Sequence, residues 1–212
     1  MAGSSTADTP AFYFDLAVPE CYLVAERILR TLPVACEWRP VLASELPGAL
    51  GFGGWRCAEE REIELAQFER AAARQGLQPV HWPPDLPLDS AFAMRVATYA
   101  ASIGRAVAFA QAAFRQIYAA GRDLSIPDNV LIAAAACEMH PAAVLKAVEL
   151  RSVRGALART TAEAGARGVT GVPAVWSTYG VLSGEAGLSA AASRLGAEER
   201  VDALEQEGSE RL

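Results

Sequence analysis

Within this 212-residue chain, the segment best placed to do chemistry is Val18-Pro19-Glu20-Cys21. It follows the aromatic run Phe12-Tyr13-Phe14-Asp15 and precedes a helical pattern, so it reads as a turn delivering the chain into a helix. A helix start offers free backbone N–H groups and the positive end of the dipole, which lower a thiol's pKa and stabilise thiolate. Pro19 suits the first helical turn, where its missing N–H is not needed. Cys21 is the one nucleophile here, because Val18 can neither attack nor hydrogen-bond a thiolate. Glu20 would oppose a thiolate lying close to its carboxylate. Asp15, at the end of the strand, is a candidate proton acceptor. Two readings of Cys21 stay open. It is a one-thiol site able to form a mixed disulfide, or an apolar cysteine on the inner face of the helix.

The second stretch of interest is Gly168-Val169-Thr170-Gly171-Val172-Pro173, which runs into the apolar segment Ala174-Val175-Trp176. Two glycines three apart suit a turn with unusual backbone angles, and Pro173 closes it before a strand. A proline there cannot donate to a sheet ladder, and a cis peptide is one way to build the turn. Trp55, Trp82 and Trp176 either line a pocket or pack in the interior. His81 and His140 adjoin prolines in loops or caps and read as structural or surface groups. The four cysteines, Cys21, Cys36, Cys57 and Cys137, lie far apart with no Cys-x-x-Cys, and no zinc-type spacing exists. No metal is expected.

These segments need elements to position them. Residues 11–16 read as a buried strand and 21–32 as one helix, with Tyr22, Val24, Ala25, Ile28, Leu29 and Leu32 on one face. Pro33 ends that helix, and 34–41 reads as a second strand. The order strand, helix, strand opens a βαβ unit. Glycines 48, 51, 53 and 54 mark a loop before a helix over 58–76, with Ile63, Leu65, Phe68 and Ala72 as inward candidates. The segment 81–87 is a proline-punctuated connector. Asp89-Ser90 can cap a helix over 91–103. Further helices are expected up to Ala120, from Pro127, from His140-Pro141 to about Arg151, and over 153–167. A hairpin over 174–183 and an amphipathic helix over 188–205 close the chain.

Composition narrows the function classes. Hydrophobic residues make up 52% and charged residues 21%, ordinary for a globular chain. A net charge of -6 without a basic cluster argues against nucleic acid, and Lys146 is the only lysine among 19 basic residues. No apolar run reaches membrane-spanning length, and residues 1–10 carry no signal-peptide pattern. A cytoplasmic protein with reduced thiols and no membrane partner is therefore expected.

Taken together, the two stretches resemble the thioredoxin-like superfamily, in its DsbA-type branch with an all-helical insertion. Within that branch the chain is similar to 2-hydroxychromene-2-carboxylate isomerases and kappa-class glutathione transferases, from about Ala11 to Leu195. Those proteins carry Tyr-Phe-Asp-Phe-x-Ser-Pro-x-x-Tyr early and Gly-Val-x-Gly-Val-Pro late. The segments Trp38-Arg39-Pro40-Val41-Leu42 and 118–125 also resemble the group. The resemblance implies an α/β fold: a thioredoxin-like core from 11–57 and 156–206, a helical insertion over 58–155, and flexible ends at 1–10 and 207–212. It implies a homodimer and an oxidoreductase or glutathione-dependent isomerase acting on a small aromatic or thiol substrate.

By the same resemblance, Cys21 holds the place of a second, resolving cysteine. Val172 and Pro173 would present backbone groups to glutathione, and Arg61 would stand in for a lysine that holds a glutathione carboxylate. The sequence departs from the pattern in concert. The leading Cys or Ser position is Val18, and no lysine lies near Glu60. In Gly184-Glu185-Ala186-Gly187, Ala186 and Gly187 replace an aspartate and an arginine of the relatives. The alternative implied by these losses is a catalytically degenerate binding or partner protein on the same scaffold.

Overall fold

The computed structural model describes residues 9–48 and 52–209, with side chains described as far as 197. Residues 1–8, 49–51 (with the loop glycine Gly51) and 210–212 lie outside the described residues. Its centre is a four-stranded sheet of β1 (Ala11–Phe14), β2 (Glu37–Pro40), β3 (Ala174–Ser177) and β4 (Gly180–Ser183). The strand order is β2-β1-β3-β4, with β1 parallel to β2 and the other neighbours antiparallel. The two ends of the chain therefore build one sheet, and the protein is α/β.

Strand β1 is buried along its whole length, because both faces of the sheet are covered. Its pleat sends Phe12 and Phe14 into the larger core and Ala11 and Tyr13 into a smaller cluster with Val41, Ala164 and Val169. Each fully buried phenylalanine contributes roughly 1.5–3 kcal/mol of transfer free energy. Trp38 of β2 meets the edges of both rings, at centroid distances of 5.0 and 5.8 Å. Pro10 is buried and its carbonyl accepts from Glu37 N–H, so pairing begins one residue ahead of β1.

The helices are α1 (Pro19–Ala25), α2 (Ile28–Thr31), α3 (Ala58–Arg74), α4 (Ala91–Ser102), α5 (Ala106–Tyr118), α6 (Pro127–Ala135), α7 (Pro141–Glu149), α8 (Arg151–Ala166) and α9 (Gly184–Ser209). Helix α4 is apolar on most sides and lies among α5, α7, α8 and β2.

Several expectations change. The helix expected over 21–32 is two, α1 and α2. The break falls where Glu26 accepts from Arg115 of α5 at 2.7 Å while Arg27 donates to Glu185 of α9 at 2.7 Å. Strand β2 spans four residues rather than eight, since pairing with β1 starts at Glu37. Ile63 of α3 faces solvent, whereas Phe68 and Ala72 are buried. Helix α9 begins at Gly184, directly after β4, and continues through 207–209. His140 caps α7 by accepting from Ala142 N–H, and His81 lies exposed against the carbonyls of Pro79 and Ala119.

Candidate functional site: the cleft beside the β1–α1 turn

The turn between β1 and α1 is held from three directions. Asp15 Oδ1 accepts from Ala17 N–H at 3.0 Å, and Oδ2 accepts from Ala43 N–H at 2.9 Å. The Ser90 hydroxyl also binds this carboxyl. Leu16 N–H points at Met94 Sδ of α4, and Tyr118 Oη of α5 donates to Leu16 O at 3.0 Å. Asp15 is only 3% exposed. Burial pushes its carboxyl above the ordinary range, the nearby Asp89 adds to this, and the three hydrogen bonds pull it back. Its two bonded oxygens make Asp15 an anchor for both the turn and the loop after β2.

Val18 is the N-cap of α1, in extended conformation and with no side-chain cap, and Pro19 follows at the first helical position. Helix α1 thus begins without the polar oxygen usual at this place. Cys21, one turn in, has no solvent exposure. Burial drives its thiol well above the usual cysteine range, and the charges of Asp15 and Glu20 push the same way, against one hydrogen bond that its sulfur accepts from the Asp15 backbone. The helix-start effect expected from the sequence is overwhelmed, because desolvating a thiolate outweighs a dipole from seven residues. Glu20 is itself raised by partial desolvation and by Glu64 and Glu185. All four cysteines are free thiols.

Beside this turn lies a cleft of about 500 Å³. Its floor carries Asp15 and Val18, and its walls come from the loop after β2, the loop at 52–54 and the start of α4. Leu42, Phe52, Pro87 and Leu88 supply apolar surface, while Asp15, Glu45 and Asp89 supply the charges. Gly53, at φ 101°, sits against the ring of Pro87, where an added Cβ would approach to 2.5 Å. That close approach joins two walls and accounts for glycine at this place.

Of the residues singled out from the sequence, Asp15 and Val18 line the cleft; Pro19, Glu20, Cys21, Arg61, Val172 and Pro173 do not. Cys21 lies sealed in the core. The Val172–Pro173 peptide is cis, and Pro173 O accepts from Gly184 N–H at 2.8 Å. The Arg61 guanidinium stands over the Trp55 ring at 5.5 Å, and its Nε is buried without a partner. Trp55 and Trp82 both pack on Phe52, which is the ring that reaches the cleft. Trp176 is excluded from it, since it packs with the smaller cluster and stacks under Arg167 at 4.1 Å. Glu185 is occupied by Arg27 and by Gln75 Nε2. Gly187 presses on the Leu182 carbonyl, 2.7 Å from an added Cβ, which leaves no room for the arginine of the relatives.

Sequence reasoning missed Glu45, Phe52 and Ser90 as site residues. Asp89-Ser90 looked like a helix cap, and Asp89 Oδ1 does accept from Ala91 N–H. Ser90 makes no cap bond, because its hydroxyl turns to Asp15 instead. Among the described residues, no group of three His, Cys, Asp or Glu side chains is arranged to hold a metal ion, and no helix is long and apolar enough to cross a membrane.

Solved structures that share this fold include the following three. A 2-hydroxychromene-2-carboxylate isomerase superposes with a TM-score of 0.80 at 18% identity, over 92% of this chain and 98% of that one. The cytosolic disulfide reductase DsbM from Pseudomonas aeruginosa, solved with glutathione, gives 0.65 at 17% identity, over 91% and 99%. A DsbA variant from the same organism gives 0.57 at 16% identity, over 95% and 92%. No curated protein sequence matches the chain. The sequence model of the DSBA-like thioredoxin domain matches residues 11–196, and the chain therefore belongs to the DSBA-like thioredoxin family.

Proposed function

We propose that this chain is a small-molecule-binding member of the DSBA-like thioredoxin family in which thiol redox chemistry is silent, and that the cleft beside Val18 is its binding site. One observation carries this reading: valine stands at the family's leading position, and Cys21 below it is fully buried with its thiol pushed far from thiolate. Disulfide exchange needs an accessible thiolate and a path for the partner sulfur. Neither is available at Cys21, while the cleft has the volume and the mixed apolar and polar lining of a small-ligand site.

A second reading keeps glutathione as a cofactor. It is favoured by the unpartnered Arg61 Nε beside Trp55 and by the likeness to a reductase solved with glutathione. In that reading Val172 and Pro173 would present backbone groups to the tripeptide, and chemistry would be isomerisation or transfer on a small aromatic substrate. The acidic surroundings, Glu20 and Glu64 close together with Glu185 nearby, work against an anionic peptide.

The test combines two measurements on the intact protein. Isothermal titration with reduced glutathione, together with an insulin-reduction assay, should give no binding at millimolar ligand and no turnover. A panel of small aromatic compounds should include binders that raise the melting temperature. The variant Ser44→Trp, at an exposed position in the cleft wall, should abolish that shift. Micromolar glutathione binding, or disulfide reduction lost in Cys21→Ser, would replace the first reading with the second.

A further inference from the structure

We infer that the 41–48 loop is a strap that sets one wall of the cleft, with Thr161 and Gly48 as its positioning residues, so that the 168–173 turn acts on a cleft it does not line. As a statement about binding, this rests on the reading of the cleft as the binding site. Leu42, Ala43, Ser44 and Glu45 form that wall. They lie between two sets of fastenings, one at each end of the loop, and neither Thr161, Gly48 nor Thr170 reaches the lining.

At the first end, Val41 N–H donates to Phe14 O at 3.1 Å, so the chain leaves β2 still paired with β1. Leu42 N–H then donates to Thr161 Oγ1 of α8 at 3.0 Å, and Ala43 N–H to Asp15 Oδ2 at 2.9 Å. Thr161 is buried, and its own hydroxyl hydrogen goes to Leu157 O at 3.0 Å, which leaves the oxygen oriented to accept. At the other end, Leu46 is buried in the smaller cluster with Tyr13, Val41, Ala164 and Val169. Gly48 N–H donates to Thr170 O at 2.7 Å, and a Cβ at Gly48 would come within 2.6 Å of that oxygen. Only glycine lets this contact close. Between the two ends, Ala43–Glu45 makes a single tight helical turn, closed by Glu45 N–H to Leu42 O and Leu46 N–H to Ala43 O. Those internal bonds carry a displacement of one end to the other. The 168–173 turn is a firm post for the strap. Gly168 and Val169 donate to Gly165 O and Ala164 O at the end of α8, and Pro173 O accepts from Gly184. The two stretches singled out from the sequence are thus joined through this loop rather than across the cleft floor.

The experiment is native-state hydrogen exchange read by amide NMR on the full chain, with no ligand present. Gly48→Ala forces the Thr170 end apart. Thr161→Val removes the acceptor at the other end at nearly constant volume, and Thr161→Ser keeps it. The amides read are Leu42 and Ala43 on the wall, position 48, the 168–173 turn, and α5 as a reporter of global opening. In Gly48→Ala the Leu42 and Ala43 amides should exchange about tenfold faster, the change expected for one hydrogen bond of ordinary net strength, while α5 stays within about twofold. Thr161→Val should speed Leu42, Ala43 and position 48 by a similar factor, and Thr161→Ser should match the wild type. Gly171→Ala, in the same turn but with nothing within 4 Å of its Cβ, should leave the wall unchanged. Faster exchange confined to position 48 and the 168–173 turn in Gly48→Ala would overturn the strap. Should Gly48→Ala fail to fold, Thr161→Val decides alone, and an unchanged rate at Gly48 overturns it. Thr161→Ser as fast as Thr161→Val would show that Thr161 acts through packing and overturn its positioning role. A rise shared equally by α5 would be global destabilisation and would overturn the inference too. Because no ligand enters, none of these outcomes bears on the reading of the cleft itself, which the Ser44→Trp titration tests.

Discussion

The four cysteines make the sharpest single test, because their surroundings differ and their reactivities can be read in one experiment. Cys57 is exposed, Cys36 is partly exposed, Cys137 is largely covered and Cys21 has no exposure. The Cys36 thiol is pushed up to about 12, chiefly by burial and secondarily by Glu37, against one hydrogen bond to Phe12. Near pH 8 an ordinary thiol of pKa about 8.5 is roughly a quarter thiolate. At a pKa of about 12 the fraction falls to about one in ten thousand, so Cys36 should alkylate on the order of a thousandfold more slowly. Cys21 is further limited, since reagent reaches it only when the core opens. With a global stability of even about 5 kcal/mol, the open fraction is below roughly one in a thousand. The assay is pulsed alkylation with iodoacetamide across pH 6–10, with each site quantified by peptide mass spectrometry. The expected order is Cys57 first, Cys36 far behind, and Cys21 reacting only as denaturant unfolds the chain. Cys21 labelling in the native protein within tenfold of Cys57 would refute the burial argument, and the silent-thiol reading with it.

Four further outcomes follow from the same geometry. Asp15→Ala should cost about 2 kcal/mol, because the amides of Ala17 and Ala43 lose their acceptor, partly offset by no longer burying a carboxyl. The Asp15 pKa is raised in the fold, so between its unfolded and folded values the native state holds more protons. Its contribution to stability should therefore grow as pH falls through the folded value, and denaturant titrations of Asp15→Asn should lack that slope. Gly187→Ala should destabilise by about 1–3 kcal/mol, as its Cβ would lie 2.7 and 2.9 Å from the Leu182 carbonyl carbon and oxygen. Gly171→Ala, which meets nothing within 4 Å, is the control in the same melts. Arg27→Ala should cost only about 0.5–1 kcal/mol and lose its effect in high salt, since the Arg27–Glu185 pair is 28% and 41% exposed. A larger, salt-insensitive loss would mean that Arg27 acts through packing.

Much of the architecture is written locally. Aromatic residues at 12–14, the proline at 19 and the glycine–proline turn at 168–173 are enough to place β1, the start of α1 and the entry to β3, because each depends on backbone preferences within a few residues. The family pattern could be read from those same positions, down to the absence of Cys or Ser at Val18. Helix ends were less legible: the split between α1 and α2 coincides with contacts from Glu26 to Arg115 and from Arg27 to Glu185, partners 89 and 158 residues away.

The site itself depended on assembly. Cys21 at a helix start reads in sequence as an activated thiol, yet its protonation is set by how completely α3, α5 and α9 cover α1. Burial is a property of the packed molecule and no spacing rule reports it. Asp15, Ser90 and the Ala43 amide are distant in the chain, and only their convergence turns a strand-end aspartate into the anchored floor of a cleft. Residue types determined what chemistry was excluded here; solvent exclusion and long-range contact decided what remained. The physical reason is that desolvation and Coulomb energies depend on distances in space, while the signals carried by sequence depend on distances along the chain.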